Sequence, residues 1–455
     1  MEKTDKRLKS NFLFFKRLIC SLVLLLAFLA CSDAKAAINL ITDEETEQYL
    51  AGVLRPIFKA AGIPFKRNNI HIVDDNSLNA FVGDGNNMFI NTGTLIKAGS
   101  SNEIKGVLAH ETGHIQGGHI LRQKIKNQEM QQISLGSLIL AGAVGAATGR
   151  ADVGMAIALG SQSSAINNYL TYRIEEERSA DEAAVNLLGK TKQSPQGMLT
   201  FMKRIQQQNR LSGVDETAYI RTHPVTGERV AFMQQAVSAS PYPQKDKDEE
   251  QFRRVQAKLS AFLSEPSQTL QKYPLSDKSV PARYARAIAY FKQLKTAQAL
   301  NEINSLIAQE PDNPHFKELK GQIYMETGKV KEAKAEFQKS LALMPNSALF
   351  QINLAQAVLE SSPSQSELRT NVDILNKSLV QNPNSFAWLL LSRTYGELED
   401  YAASNYAAAE HSLGIGAVDI AEKQAKQAES SATDSKLKLK INDLLTRIKE
   451  IKNNS

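Results

Sequence analysis

Four residues recur at a fixed interval in the C-terminal part of the chain. Ala287, Tyr290, Ala299 and Pro311 return 34 residues later as Gly321, Tyr324, Ala333 and Pro345. A small–aromatic–small–Pro pattern at this spacing dictates a pair of helices per unit. The small residues let the two helices approach, the ring fills the gap between them, and the proline ends the second helix. A single unit cannot bury its apolar face alone, so the pattern also calls for a stack of about three or more. A third unit ends at Pro383, with Ser361-Ser362-Pro363-Ser364 reading as a four-residue insertion. Trp388, Leu391 and Tyr395 begin a fourth whose second helix is not evident. Ile441, Leu444, Leu445 and Ile448 then form one helical face suited to cap the array.

This is the tetratricopeptide pattern. It predicts an all-α repeat solenoid over 281–430 and a C-terminal helix over 431–455. Ser240-Pro241-Tyr242-Pro243 and the charged run Lys245 to Glu250 read as a linker, and the helical stripe Phe252, Val255, Leu259 and Phe262 follows. Linker and connecting helices together occupy 239–280.

The N-terminus carries Lys3, Lys6, Arg7, Lys9, Lys16 and Arg17, then the apolar run Leu18 to Ala30, then Ala34-Lys35-Ala36. A basic segment, a short apolar core and an A-x-A site describe a secretory signal peptide over 1–36. The apolar run falls short of the roughly 20 residues a membrane-spanning helix needs. Phe28-Leu29-Ala30-Cys31 half-resembles a lipobox but lacks its leucine, so lipid anchoring through Cys31 is the lesser reading. The segment holds seven basic and three acidic residues and so accounts for +4 of the chain's formal +6. A nearly neutral remainder offers no argument for nucleic acid as a partner. Cys20 and Cys31, the two cysteines of the chain, both lie here. Disulfide scaffolds, cysteine-ligated metal sites and a cysteine nucleophile are thereby excluded from the body.

Between leader and linker, 37–238 reads as one mixed α/β domain. Thr42 to Ala61 has helical spacing behind a Thr42 cap. Asn69 to Val73 and Asn87 to Asn91 are strand candidates, and Glu103 to Gly113 returns to helix. Residues 134–160 are rich in Gly, Ala, Leu and Ile and nearly uncharged, and Arg150 and Asp152 split them into two short halves. They read as a packed helical segment or flap, or as a surface that touches lipid or an apolar client.

The chemistry concentrates in Val107-Leu108-Ala109-His110-Glu111-Thr112-Gly113-His114. Histidines at i and i+4 share a helical face and can reach one zinc ion, and the glutamate beside them can take a proton from water activated there. Catalytic zinc takes three protein ligands. His119 suggests a metzincin-like HExxHxxGxxH, with Gly117 in place, but that motif needs its last histidine at 120, which is Ile. Glu177, in Glu175-Glu176-Glu177-Arg178-Ser179-Ala180-Asp181, is the other candidate. It opens a second helix with Asp181 one turn on, where one carboxylate can bind metal while the other orients a ligand histidine. A solvated charge run at a helix N-terminus is the competing reading.

His-Glu-x-x-His followed by Glu-x-x-Ala-Asp resembles the HtpX-related minigluzincin zinc peptidases. The order of signal peptide, peptidase and tetratricopeptide repeats resembles that family's periplasmic peptidase–chaperones across nearly all of the mature chain. The resemblance implies an α+β zincin-type metallopeptidase domain followed by the all-α solenoid, and one zinc ion on His110, His114 and Glu177. It further implies Glu111 as general base and Asp181 behind a ligand. Arg221-Thr222-His223-Pro224 matches the family's Thr-His-Pro element. His223 would there fill the fourth zinc position and hold the enzyme latent, or bind a peptide, unless it is a structural loop residue. Arg229 would stabilise a developing oxyanion, with a surface ion pair as its plainer role. Asn79-Ala80-Phe81 and the strand Met88, Phe89, Ile90 and Asn91 match an edge strand that binds substrate through its main chain. The implied partners are misfolded or assembling outer-membrane proteins and their assembly machinery, met through the repeats in the periplasm, with peripheral membrane contact by 134–160. The relatives' transmembrane helices have no counterpart long enough in 134–160. The rival reading is a non-catalytic repeat adaptor carrying a latent zinc domain.

Overall fold

A computed structural model describes residues 39–148, 151–212, 218–244 and 247–453. The expected leader 1–36, with Cys20 and Cys31, lies outside them. The chain divides into the units Met1–Leu40 and Ile41–Ser455, and the second is described below.

Helix α1 (Glu44–Ala61) buries Tyr49, Leu50, Val53, Leu54, Ile57 and Phe58 on one face. Its cap is Asp43 rather than the expected Thr42. The Asp43 carboxylate accepts from the Thr46 amide at 2.8 Å, and Gly62 ends the helix at φ 74°. A shorter sequence signal was available, since aspartate is the better cap.

The sheet runs β1-β2-β4-β3. Strand β1 is Leu40–Ile41, β2 Ile70–Val73, β3 Ala80–Gly83 and β4 Asn87–Asn91. Strand β4 pairs parallel with β2 (Ile70 opposite Met88) and antiparallel with β3 (Ala80 opposite Ile90). Met88 and Ile90 therefore point into the core, fully buried. The expectation that Met88 to Asn91 form an edge is overturned, because β4 is flanked on both sides. The edges are β1 and β3, and β3 takes in Ala80 and Phe81 of the other expected segment, Asn79-Ala80-Phe81.

Helices α2 (Thr92–Lys97) and α3 (Ser101–Gly117) follow, and α3 is buried on every side from Ser101 to His114. Next come α4 (His119–Thr148) and α5 (Ala151–Lys190), which pack along one another. The apolar segment 134–160 thus belongs to two long helices; Arg150 lies outside the described residues, and Asp152 falls in the first turn of α5. Most of its side chains lie outside the described residues, although Ile139 and Leu140 are exposed. Among the described residues no helix is long and apolar enough to cross a membrane. Glu177 does not open a helix; it lies well inside α5, so the dipole argument for it falls away.

Helices α6 (Gln196–Ser212), α7 (Ala218–Thr222), α8 (Gly227–Ala239) and α9 (Glu249–Leu263) lead to the repeats. Helix α9 supplies Phe252, Val255 and Leu259 to the core of the sheet and α1, and Ala257 and Ala261 to the first repeat core.

After α10 (Pro266–Lys272) the helices come in pairs. Helix α11 (Val280–Lys292) packs with α12 (Thr296–Gln309), and α13 (Pro314–Glu326) with α14 (Val330–Leu343). Helix α15 (Ala348–Glu360) packs with α16 (Gln365–Gln381), and α17 (Ser385–Glu397) with α18 (Tyr401–Gly414). Helices α19 (Val418–Ser431) and α20 (Ser435–Asn453) close the array, burying Ile441, Leu444 and Ile448. The fourth unit's second helix is thus α18. The small-residue rule has a visible cause at Gly321, where a Cβ would stand 2.5 Å from the Phe337 ring. The extra length of the third unit goes chiefly into α16, at 17 residues against 14 for α14. Ser364 is not insertion filler. It caps α16 in a capping box with Glu367.

The first turn of α1 sits against the repeats. Ser347 Oγ donates to Glu44 Oε2 at 2.6 Å, and the Tyr284 hydroxyl donates to Glu45 Oε2 at 3.1 Å. His315 Nε2 lies 3.0 Å from Gln48 Oε1, and Lys258 pairs with Asp43 at 2.5 Å. The acidic first turn therefore serves an interface as well as its own helix dipole.

Candidate metal centre

The helical period places His110 and His114 one turn apart, and their Nε2 atoms lie 3.1 Å from each other. Glu177 reaches them from α5, with Oε2 3.3 Å from His110 Nε2 and Oε1 3.3 Å from His114 Nε2. This approach depends on Gly113, where a Cβ would lie 2.7 Å from the Ala180 carbonyl. His223, following α7, completes the group with Nδ1 3.0 Å from Glu177 Oε1. One donor atom from each of His110, His114, Glu177 and His223 lies within 4.8 Å of the other three, and all four residues are buried.

Asp181 stands behind this group. Its Oδ1 is 2.9 Å from His110 Nδ1, so the carboxylate can accept the proton that leaves Nε2 free. Arg229 is not a surface ion pair, being 4% exposed. Its Nε and Nη2 donate to Asp181 at 2.6 and 2.8 Å, and Nη1 meets Glu177 Oε2 at 2.8 Å and the Pro224 carbonyl at 2.7 Å. With its donors turned to these acceptors, Arg229 positions two carboxylates rather than awaiting an oxyanion. Thr226, the cap of α8, accepts from the Arg229 amide and fixes its start.

Burial works against charge throughout the site, and the partners decide each outcome. Burial pushes the Glu111 carboxyl up, against the pull of His223 and His110. Burial would raise Glu177 too, but His223, His110 and His114 hold it well below the carboxylate range. For Asp181, Arg229 and His110 overcome burial and hold it low. Burial takes His114 down to about 3, beyond what Glu177 can offset.

Both Glu111 carboxylate oxygens are buried without a hydrogen-bond partner among the described residues. An orphaned carboxylate beside two imidazoles and a second carboxylate is a donor set that suits a divalent metal and its water. His119 is not in the group. Its Nδ1 lies 2.8 Å from Nδ1 of His114, on the far side of that ring.

Two contributors, Tyr219 and Arg173, lie outside the motifs read from the sequence. Tyr219 packs its ring against His223 at 4.8 Å between centroids. Arg173 donates to the Thr222 carbonyl, and Thr222 Oγ1 donates to Asn79 Oδ1 at 3.3 Å, so the His223 segment is tied to the start of edge strand β3. Arg173 alone was findable, being one helical turn before Glu177.

Residues 44–237 match Peptidase family M48, and residues 315–347 match a tetratricopeptide repeat. The chain is similar to the beta-barrel assembly-enhancing protease of Yersinia pestis, 23% identical over 371 residues that cover 79% of this chain and 74% of that protein. The protein of the same description from Escherichia coli K12 is 24% identical over 376 residues, with the same coverage. Among solved structures, yeast Tom70 superposes with a TM-score of 0.32 at 10% identity, covering 94% of this chain and 78% of its own. A score that low carries no argument.

Proposed function

We propose that this chain, in which a peptidase family M48 domain is joined to tetratricopeptide repeats, is a zinc-dependent endopeptidase. It would be exported to the periplasm and act on misfolded or assembling outer-membrane β-barrel proteins held by its repeats. The metallopeptidase class follows from the family match and the similar β-barrel assembly-enhancing proteases. The observation that carries the finer reading is the meeting of His110, His114 and Glu177 beside the unpartnered carboxylate of Glu111.

In this reading His110, His114 and Glu177 hold zinc, which when bound supplies Lewis acidity to water and to the scissile carbonyl. Asp181 fixes the tautomer of His110, and Arg229 fixes Asp181 and Glu177. Glu111, whose carboxyl burial pushes up, takes a proton from the attacking water at a carboxylate oxygen and returns it to the leaving amine. Substrate lies as an added strand on β3. Asn79 accepts from the Asn91 amide at 3.0 Å, so by antiparallel alternation Phe81 faces β4 while the main chain of Ala80 and Val82 faces outward. His223 occupies a fourth donor position, which favours a latent resting state.

Metal content and casein cleavage of the purified protein, beside its Glu111→Gln variant, test the proposal. One zinc per chain in both, with cleavage in the wild type or in the His223→Ala form and none in Glu111→Gln, is expected. The adaptor reading requires instead that Glu111→Gln fully complement a deletion strain.

A further inference from the structure

The two helical histidines are braced by different chemistry. His110 turns Nδ1 to a carboxylate, Asp181, at 2.9 Å. His114 turns Nδ1 to another imidazole, Nδ1 of His119, at 2.8 Å, with the rings edge-on at 4.9 Å between centroids. His119 is fully buried, and His114 is 3% exposed.

The local backbone is arranged to bring this ring back. Gly118, at φ 65°, ends α3 so that the chain reverses and His119 opens α4. Gly117 leaves room for the ring, since a Cβ there would stand 2.2 Å from His119 Nε2. That Nε2 is itself buried with no hydrogen-bond partner among the described residues. An apolar side chain would fill the space without orphaning a polar atom, so packing alone does not account for a histidine here.

Two nitrogens 2.8 Å apart share one proton. An imidazole that offers Nε2 to a metal carries its proton on Nδ1. His114 is then the donor, His119 Nδ1 the acceptor, and the proton of His119 rests on Nε2. We propose that His119 is a positioning residue for the metal centre: it accepts the Nδ1 proton of His114 and holds that ring with Nε2 facing Glu177. The inference rests on the reading of His110, His114 and Glu177 as metal ligands, and it replaces the metzincin-like role for His119 with one behind a ligand.

The test is zinc affinity of the purified full chain by competition with a chromophoric chelator, with zinc stoichiometry at saturation. His119→Leu removes the acceptor; His119→Asn keeps one near the position of Nδ1; His119→Gln carries its acceptor out to the position of Nε2. His119→Leu and His119→Gln should still bind one zinc per chain but about 10–100-fold more weakly, whereas His119→Asn should stay within about threefold of wild type. Should His119→Leu fail to fold, the Asn and Gln variants still separate the two positions. Unchanged affinity in His119→Leu and His119→Gln, or equal weakness in Asn and Gln, overturns the proposal. Loss of zinc at saturation in all three would make His119 a ligand and overturn it as well. A wild-type chain that binds no zinc would overturn the ligand assignment, and this inference with it.

Discussion

A single imidazole spans two buried carboxylates: His223 Nε2 lies 3.5 Å from Glu111 Oε1 while its Nδ1 lies 3.0 Å from Glu177 Oε1. In the proposed mechanism, water and substrate displace this ring before Glu111 acts. His223→Ala should therefore raise casein cleavage about tenfold or more, the change produced by shifting a closed–open balance by roughly 1.4 kcal/mol. Unchanged or lower activity, measured with zinc content held equal, removes the latency argument.

Both Glu111 carboxylate oxygens are buried beside the histidines with no hydrogen-bond partner among the described residues. Glu111→Gln keeps size and polarity but cannot carry a proton. Cleavage by the His223→Ala protein should fall about 10²–10⁴-fold when Glu111→Gln is added, with zinc stoichiometry retained. A double variant as active as its parent refutes the base assignment.

Arg229→Met should cost stability before it costs chemistry. Removing the guanidinium strands Asp181 and Glu177 as buried carboxylates, a loss of about 3–5 kcal/mol by the precedent of broken buried pairs. Thermal unfolding should show a large drop in Tm. Arg229→Lys should recover only part of it, because an ammonium cannot reproduce the two-pronged contact with Asp181. Equal melting of the wild type and both variants would refute this role.

The edge assignment has its own signature. Val82→Pro removes one outward N–H of β3 while leaving the inward pairing of Phe81 intact. Peptide cleavage should fall severalfold or more through KM, with Tm and zinc content nearly unchanged. A proline variant that cleaves normally would dismiss β3 as the substrate strand.

Much of the fold is legible in the sequence, and the departures at the metal centre and the sheet edge share a cause. The helical period alone brought His110 and His114 together, and the 34-residue repeat predicted paired helices. Glu177 needed a resemblance, because nothing in local spacing says that α5 crosses α3 at Gly113. Arg229 was misassigned since its partner Asp181 lies 48 residues away, and only the close approach of α5 and α8 shows that the guanidinium is already engaged. Strand order is equally invisible to periodicity, so β4 was taken for an edge. These three concern which elements become neighbours, whereas the Asp43 cap and the Ser364 capping box are local signals.

Stability should depend on pH through Glu318 of α13, 3% exposed and accepting from Asn353 Nδ2 at 3.0 Å. Burial pushes this carboxyl from 4.5 up to about 7. The folded state therefore keeps the proton that the unfolded chain releases, and stability falls as pH rises from about 4.5 to 7. Glu318→Gln should leave stability unaltered at pH 4 and raise it by as much as about 3 kcal/mol at pH 8. Denaturant titrations at the two pH values decide the matter; a gain of the same size at both would discard this explanation.

Repeat arrays ordinarily melt piecemeal, because each unit touches only its neighbours. Helix α9 alters that for this chain, as its Phe252 face and its Ala257 face belong to two different cores. Neither half can lose its order without stripping one side of the same helix, so the N-terminal domain and the first repeats are expected to melt together. On the proposed function, a pull on a client held by the outer repeats would then be felt at the metal centre's domain as tension, and would not be absorbed by a slack tether.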